Sequence, residues 1–251
     1  MGGRGSSSGI PRAKGGGMGV FAQQVMQPTT PQPQQAAVNI VDDGKYHQMS
    51  DADALALINA NVDSYNDPDF VTARKLYISS ADANGDGFSY SQNLNYKLDN
   101  GLKLDANEAW INENLSSAMH PLGQGTKLVR YCHDDILKQC GVNDYTKLSE
   151  KQLQSKLVGT QLQSTSYIST SYNANRSPFH PNAPMGGGRE VVMNIKAKGK
   201  TKGVFGEKKQ TEIILDKGTG MKITGIHFDG TYATPRNGRR KPRIVVDIET
   251  D

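Results

Sequence analysis

The sequence predicts an α+β fold, in which N-terminal helices precede mixed or antiparallel β-sheets and pack to one side of them. Two observations carry this. Between Ser50 and Leu115 apolar residues recur at helical spacing behind capping residues, whereas beyond Tyr167 the chain breaks into short β-branched runs bounded by Gly, Pro or Asp. A third observation sets the domain boundary. Residues 1–41 are rich in Gly, Ser, Pro and Gln, have few bulky apolar residues and show no period, so they are expected to form a disordered tail ahead of one globular domain at 42–251.

The elements follow in order. Ser50 with Asp53 three residues on is a capping-box start, followed by Leu55, Ile58 and Val62. Asp67-Pro68 caps a second helix whose inner face is Phe70, Val71, Leu76 and Tyr77. A third helix runs through SYSQNLNYKLDNG and stops at Gly101. Asp105 and Glu108 open a fourth, with Trp110, Ile111 and Leu115 inward. Past Pro121 the pattern changes: Lys127–Cys132 reads as a strand and Leu148–Val158 as a further helix ended by Gly159. YIST, REVVMNIKA, KQTEIILD, MKITGIHFD and PRIVVDIE then read as strands.

Composition excludes several classes. The net charge is 29 − 25 = +4, too small to argue for nucleic acid, and the one dense basic stretch, Arg236 to Arg243, reads first as a solvated turn. No run of about 18 apolar residues offers a membrane span, and no apolar stretch follows the early basic residues as a secretory signal requires. Cys132 and Cys140 are read as free thiols. The stretch Asp82-Ala83-Asn84-Gly85-Asp86-Gly87 matches the first half of a calcium loop, but Ser89 and Asn93 stand where an apolar residue and a bidentate carboxylate belong. It is read as an Asx-rich turn, and no metal is expected.

Ser-Thr-Ser occurs twice almost back to back, at Ser164–Ser166 and Ser169–Ser171. The second copy lies between an arginine late in a strand (Leu128-Val129-Arg130) and a carboxylate on a later strand (Gln210-Thr211-Glu212). Each piece alone is ordinary; the order and spacing of all three resemble the mono-ADP-ribosyltransferases of the arginine, Ser-Thr-Ser, glutamate class, in their clostridial exoenzyme-like branch. Asn95-Tyr96-Lys97-Leu98, Gly188-Arg189-Glu190-Val191 and Thr201-Lys202-Gly203-Val204-Phe205 resemble that family's helical Asn-x-x-Leu, its Gly-Arg strand entry and the start of its target-recognition turn. The family's aromatic two residues before Ser-Thr-Ser is matched by Tyr167, which selects the second copy and leaves the first to fill a turn.

The resemblance implies two packed sheets around a cleft for NAD as co-substrate, and a transferase that releases nicotinamide. It implies catalytic roles for Glu212, Gln210 and Ser169, and cofactor contacts for Arg130, Thr170, Ser171, Asn95, Arg189 and Phe179. The chemistry agrees with these residue types. Departure of nicotinamide leaves positive charge on the ribose, which a carboxylate stabilises, and a guanidinium binds phosphate oxygens two at a time. Within the family Gln-x-Glu accompanies asparagine or glutamine acceptors and, in some branches, guanine bases, whereas Glu-x-Glu accompanies arginine. An unidentified host protein is therefore the expected partner, with guanine nucleic acid second. The start MGGRGSSSG resembles proteins encoded near the head genes of bacteriophages, which places the expected action in the cytoplasm of a bacterial host. The alternative is a phage structural or adaptor protein that keeps the fold without catalysis.

Overall fold

The structure is a computed structural model that describes residues 46, 48–60, 66–80, 82, 83, 85, 87–183, 185–206, 211–235 and 238–251. The expected tail at 1–41 lies outside these residues, as do Val62, Asn84, Asp86 and Gln210.

Local chemistry explains the helices. α1 (Asp51–Ala60) starts where Ser50 and Asp53 bond to each other. α2 (Pro68–Ile78) is capped by Asp67, which accepts from the amides of Asp69 and Phe70. α3 (Tyr90–Asp99) carries a full capping box from Ser89 and Gln92, and α4 (Ala106–Ser117) one from Asp105 and Glu108. α3 ends as expected at Gly101, whose φ of 60° lets the Leu102 amide reach back to the Lys97 carbonyl. Beyond the sequence expectation, a short α5 (Asp135–Gln139) precedes α6 (Glu150–Leu157), which a third capping box starts at Ser149.

The strands are β1 (His120–Pro121), β2 (Lys127–Cys132), β3 (Gln161–Gln163), β4 (Ile168–Ser171), β5 (Val191–Lys196), β6 (Lys202–Phe205), β7 (Glu212–Leu215), β8 (Gly220–Ala233) and β9 (Lys241–Thr250). Residues Lys202–Phe205, read as the start of a turn, form a strand paired with β7. The expected two sheets are two arms of one hydrogen-bonded ladder, β1-β6-β7-β4 and β2-β5-β9-β8-β3. A single pair, Val129 with Ser171, joins them. The ladder is mixed, since β5 and β9 run parallel while the other neighbours run antiparallel.

Strand alternation then divides the apolar residues. Ile213 and Leu215 of β7 share one buried cluster with Ile244, Val246 and Ile248 of β9 and with Leu153 and Leu157 of α6, so residues from both arms enter a common core. Val204 and Ile214 point the other way and meet Phe70, Tyr77, Leu94, Ile111 and Leu115 of α2, α3 and α4. Trp110 is only partly buried against that second cluster. Tyr167, just before β4, plugs into the same helical layer, with its ring 5.7 Å from that of Tyr77 and its hydroxyl bonded to the Asn112 carbonyl at 3.0 Å.

Candidate functional site

The site forms where the two arms part. Beyond the Val129–Ser171 pair, Arg130 extends its guanidinium to the Ser169 carbonyl, donating from Nη1 at 2.7 Å. Across β4, antiparallel pairing sets Ser169 opposite Ile214, Thr170 opposite Ile213 and Ser171 opposite Glu212. Thr170 Oγ1 donates to the Ile213 carbonyl at 2.7 Å, which ties β4 to β7 through a buried side chain. Ser171 Oγ lies 2.5 Å from Thr211 Oγ1 and donates to the Asn173 carbonyl at 2.9 Å.

Glu212 is half-buried at the head of β7. Its carboxylate lies against Gly206, where a Cβ would meet Oε2 at 2.2 Å. The Gly206 amide also donates to the Glu212 carbonyl at 3.0 Å, so this glycine holds the strand and leaves room for the side chain.

Tyr77 enters the cluster from α2. Asn95 Nδ2 on α3 donates to its hydroxyl at 3.0 Å. Burial pushes the Tyr77 phenol up to about 12, and the charge of Glu212 adds to the rise, while Asn95, Arg130 and Ser169 oppose it. The phenol is thus neutral near pH 7 and keeps a proton to donate. Asn95 Oδ1 is buried and has no hydrogen-bond partner among the described residues, which leaves an acceptor open beside the site.

Arg189, two residues before β5, supplies a second cation, and its guanidinium lies 4.8 Å over the Phe179 ring. Burial lowers the proton affinity of Arg189; Arg130 lowers it further, and Cys132, Glu190 and Asp135 offset part of the fall. Arg189 is anchored through its carbonyl, which accepts from Nε of the buried Arg243 at 2.9 Å.

The structure therefore brings together Arg130, Ser169, Thr170, Ser171, Glu212 and Asn95, and pairs Phe179 with Arg189 near Arg130. Gln210 lies outside the described residues. Tyr77 is expected from the sequence in the core but not in the site; the signal available is a phenol on a buried helical face, which needs a partner. Thr211 and Gly206 gave no such signal.

Other candidates resolve differently. Asp82 accepts from the amides of Gly85 at 2.7 Å and Gly87 at 2.8 Å, so its carboxylate shapes a turn that leads into α3. Cys132 and Cys140 are free, and burial pushes the Cys132 thiol up to about 11. A cavity of about 240 Å³, lined by Lys202, Asp216, Lys217 and Asp251 among others, opens at the opposite end of β7 from Glu212. No helix among the described residues is long and apolar enough to cross a membrane.

The sequence profile of the ADP-ribosyltransferase exoenzyme family matches residues 88–248, a span that holds Asn95, Arg130, Ser169–Ser171 and Glu212. The chain belongs to this family. Its fold is shared with solved members of low identity. The Clostridium limosum C3 exoenzyme is 16% identical with a TM-score of 0.58, over 82% of this chain and 98% of that one. The enzymatic component C2-I of the Clostridium botulinum C2 toxin is 15% identical with a TM-score of 0.57, over 82% of this chain and 50% of that one. The exoenzyme fold here thus spans about half the length of the C2-I component and nearly all of the C3 exoenzyme. A third neighbour, the ADP-ribosylating toxin BECa of C. perfringens, solved with NADH, is 14% identical with a TM-score of 0.56, over 82% of this chain and 50% of that one. No curated protein sequence matches the chain.

Proposed function

We propose that this exoenzyme-family chain transfers ADP-ribose from NAD to an acceptor and releases nicotinamide. The observation that carries the reading is the meeting of Arg130, Ser169 and Glu212 at the one junction where the two sheet arms diverge. NAD suits the residues found there. Arg130 and Arg189 carry guanidiniums of the kind that bind phosphate oxygens, which suits its pyrophosphate, and Asn95 Oδ1 is a buried acceptor for an N–H or O–H. The Phe179 ring offers an apolar face beside Arg189.

In this reading Glu212 accepts a ribose hydroxyl and stabilises the positive charge that develops as nicotinamide leaves. Ser169, with Tyr77 and Asn95 behind it, orients that carboxylate and the sugar, while Thr170 and Ser171 fix the strand edges. The acceptor proposed is an asparagine or glutamine side chain of a host protein, with a guanine base second. The support is Gln210 two residues before Glu212: an amide pairs with an amide or a base edge, but it lacks the charge that would hold a guanidinium. The proposed setting is the bacterial host cytoplasm, supported by the likeness of residues 1–9 to phage-encoded proteins.

Purified chain incubated with NAD labelled in the adenylate half and with bacterial lysate tests this. Label is expected in the protein fraction, resistant to nuclease and dependent on Glu212. Nuclease-sensitive label would move the acceptor to guanine. Neither label nor released nicotinamide from a folded sample would overturn the transferase reading.

A further inference from the structure

Thr211 is the only non-glycine residue with positive φ among the described residues, at 52°. A β-branched side chain is a poor occupant of that region, because its Cβ crowds the backbone. Thr211 is also fully buried and stands immediately before Glu212. Strain of this kind persists only where the surroundings hold it. Here they do so from the end of β4 and the two residues after it. Ser171 Oγ lies 2.5 Å from Thr211 Oγ1, the Tyr172 amide donates to the Thr211 carbonyl at 2.9 Å, and Asn173 O lies 3.4 Å from Thr211 Oγ1. The register then pairs Ser171 with Glu212 itself.

We infer that Thr211 is a positioning residue: the hydroxyl pair it forms with Ser171 latches the backbone at the head of β7 and so fixes where the Glu212 carboxylate points. Without the latch the strained φ relaxes, and Glu212, the next residue along, turns with it. The third serine of the repeat then acts through Thr211 rather than on the ligand. This rests on the transferase reading, and the test separates the two.

Four variants decide it: Thr211→Val, which keeps the shape and removes the hydroxyl; Thr211→Ser, which keeps the hydroxyl; Ser171→Ala; and the double variant Thr211→Val/Ser171→Ala. Nicotinamide release at saturating NAD is expected to fall about tenfold in Thr211→Val and in Ser171→Ala, as for a misaimed catalytic group, with KM for NAD within about twofold. Thr211→Ser is expected to retain most of the rate. The double variant should be no slower than Ser171→Ala alone, which already removes the hydroxyl pair together with the bonds of Ser171 to Asn173. Wild-type rate in Thr211→Val, equal loss in Thr211→Ser, or losses that multiply in the double variant would each overturn the latch. Should Thr211→Val fail to fold, Ser171→Ala carries the same comparison, since Ser171 is the partner of the pair. Hydrogen exchange of the peptide spanning 206–216 provides a readout free of activity. It should quicken in Thr211→Val and Ser171→Ala but not in Thr211→Ser, and unchanged exchange overturns the latch even if the wild-type chain releases no nicotinamide.

Discussion

Glu212→Gln is expected to lower nicotinamide release by about 10²–10³-fold, the usual loss when one electrostatic partner of a developing charge is removed. The substitution keeps the shape of the side chain against Gly206 and replaces the negative carboxylate by a neutral amide. Folding should be little affected: Glu212 is half-buried at a strand end, and its backbone bond with Gly206 remains. KM for NAD should stay within a few-fold, since binding is assigned to Arg130 and Arg189 rather than to the carboxylate. Release measured by chromatography at saturating NAD, beside a thermal melt, separates these effects. A rate within threefold of wild type would remove Glu212 from the chemistry.

Gly206→Ala probes the aim of the same group without touching it. A Cβ at this position would stand 2.2 Å from Glu212 Oε2, 2.6 Å from Cδ and 2.8 Å from Cγ, so the carboxylate must move. The displaced atoms are the end of a flexible side chain, which can swing away at little cost to folding. The expected result is a melting temperature within a few degrees of wild type and a rate lowered by about 10²-fold, the scale of loss for a shift of about 1 Å in a reacting geometry. Combined with Glu212→Gln it should add almost nothing, because the carboxylate that Gly206 accommodates is already gone. A Gly206→Ala enzyme as fast as wild type would show that the resting position of Glu212 does not govern the reaction.

What the sequence made legible was local chemistry. The caps at Ser50, Asp67 and Asp105 satisfy orphan amides within three residues, so they can be read without knowing the rest of the chain, and the structure has them. Strand β2 was readable for a similar reason, as a β-branched and aromatic run with clear ends. β6 was not, because it is four residues long and contains Gly203, where a Cβ would lie 3.0 Å from the Ile214 carbonyl of the neighbouring strand. The continuity of the ladder was also hidden, since it depends on one pair, Val129 with Ser171, between segments about forty residues apart.

The candidate site divides in the same way. Arg130, Ser169 and Glu212 were expected from the order of a motif, and Asn95 from the likeness of Asn95–Leu98 to the family's Asn-x-x-Leu. Tyr77 came from another element, and only packing of α2 against Tyr167 brings its hydroxyl to Asn95. The left-handed backbone of Thr211 has no sequence signature, because a threonine in that region reads as an ordinary strand residue.

If one NAD site is built from Arg130, Ser169 and Glu212, a crystal structure of Glu212→Gln soaked with NAD will show the dinucleotide there. Pyrophosphate oxygens are expected on the guanidiniums of Arg130 and Arg189, with a ribose hydroxyl within about 2.6–3.2 Å of the side chain at 212. NAD seated instead in the cavity beside Lys217 and Asp251, at the far end of β7, would contradict it.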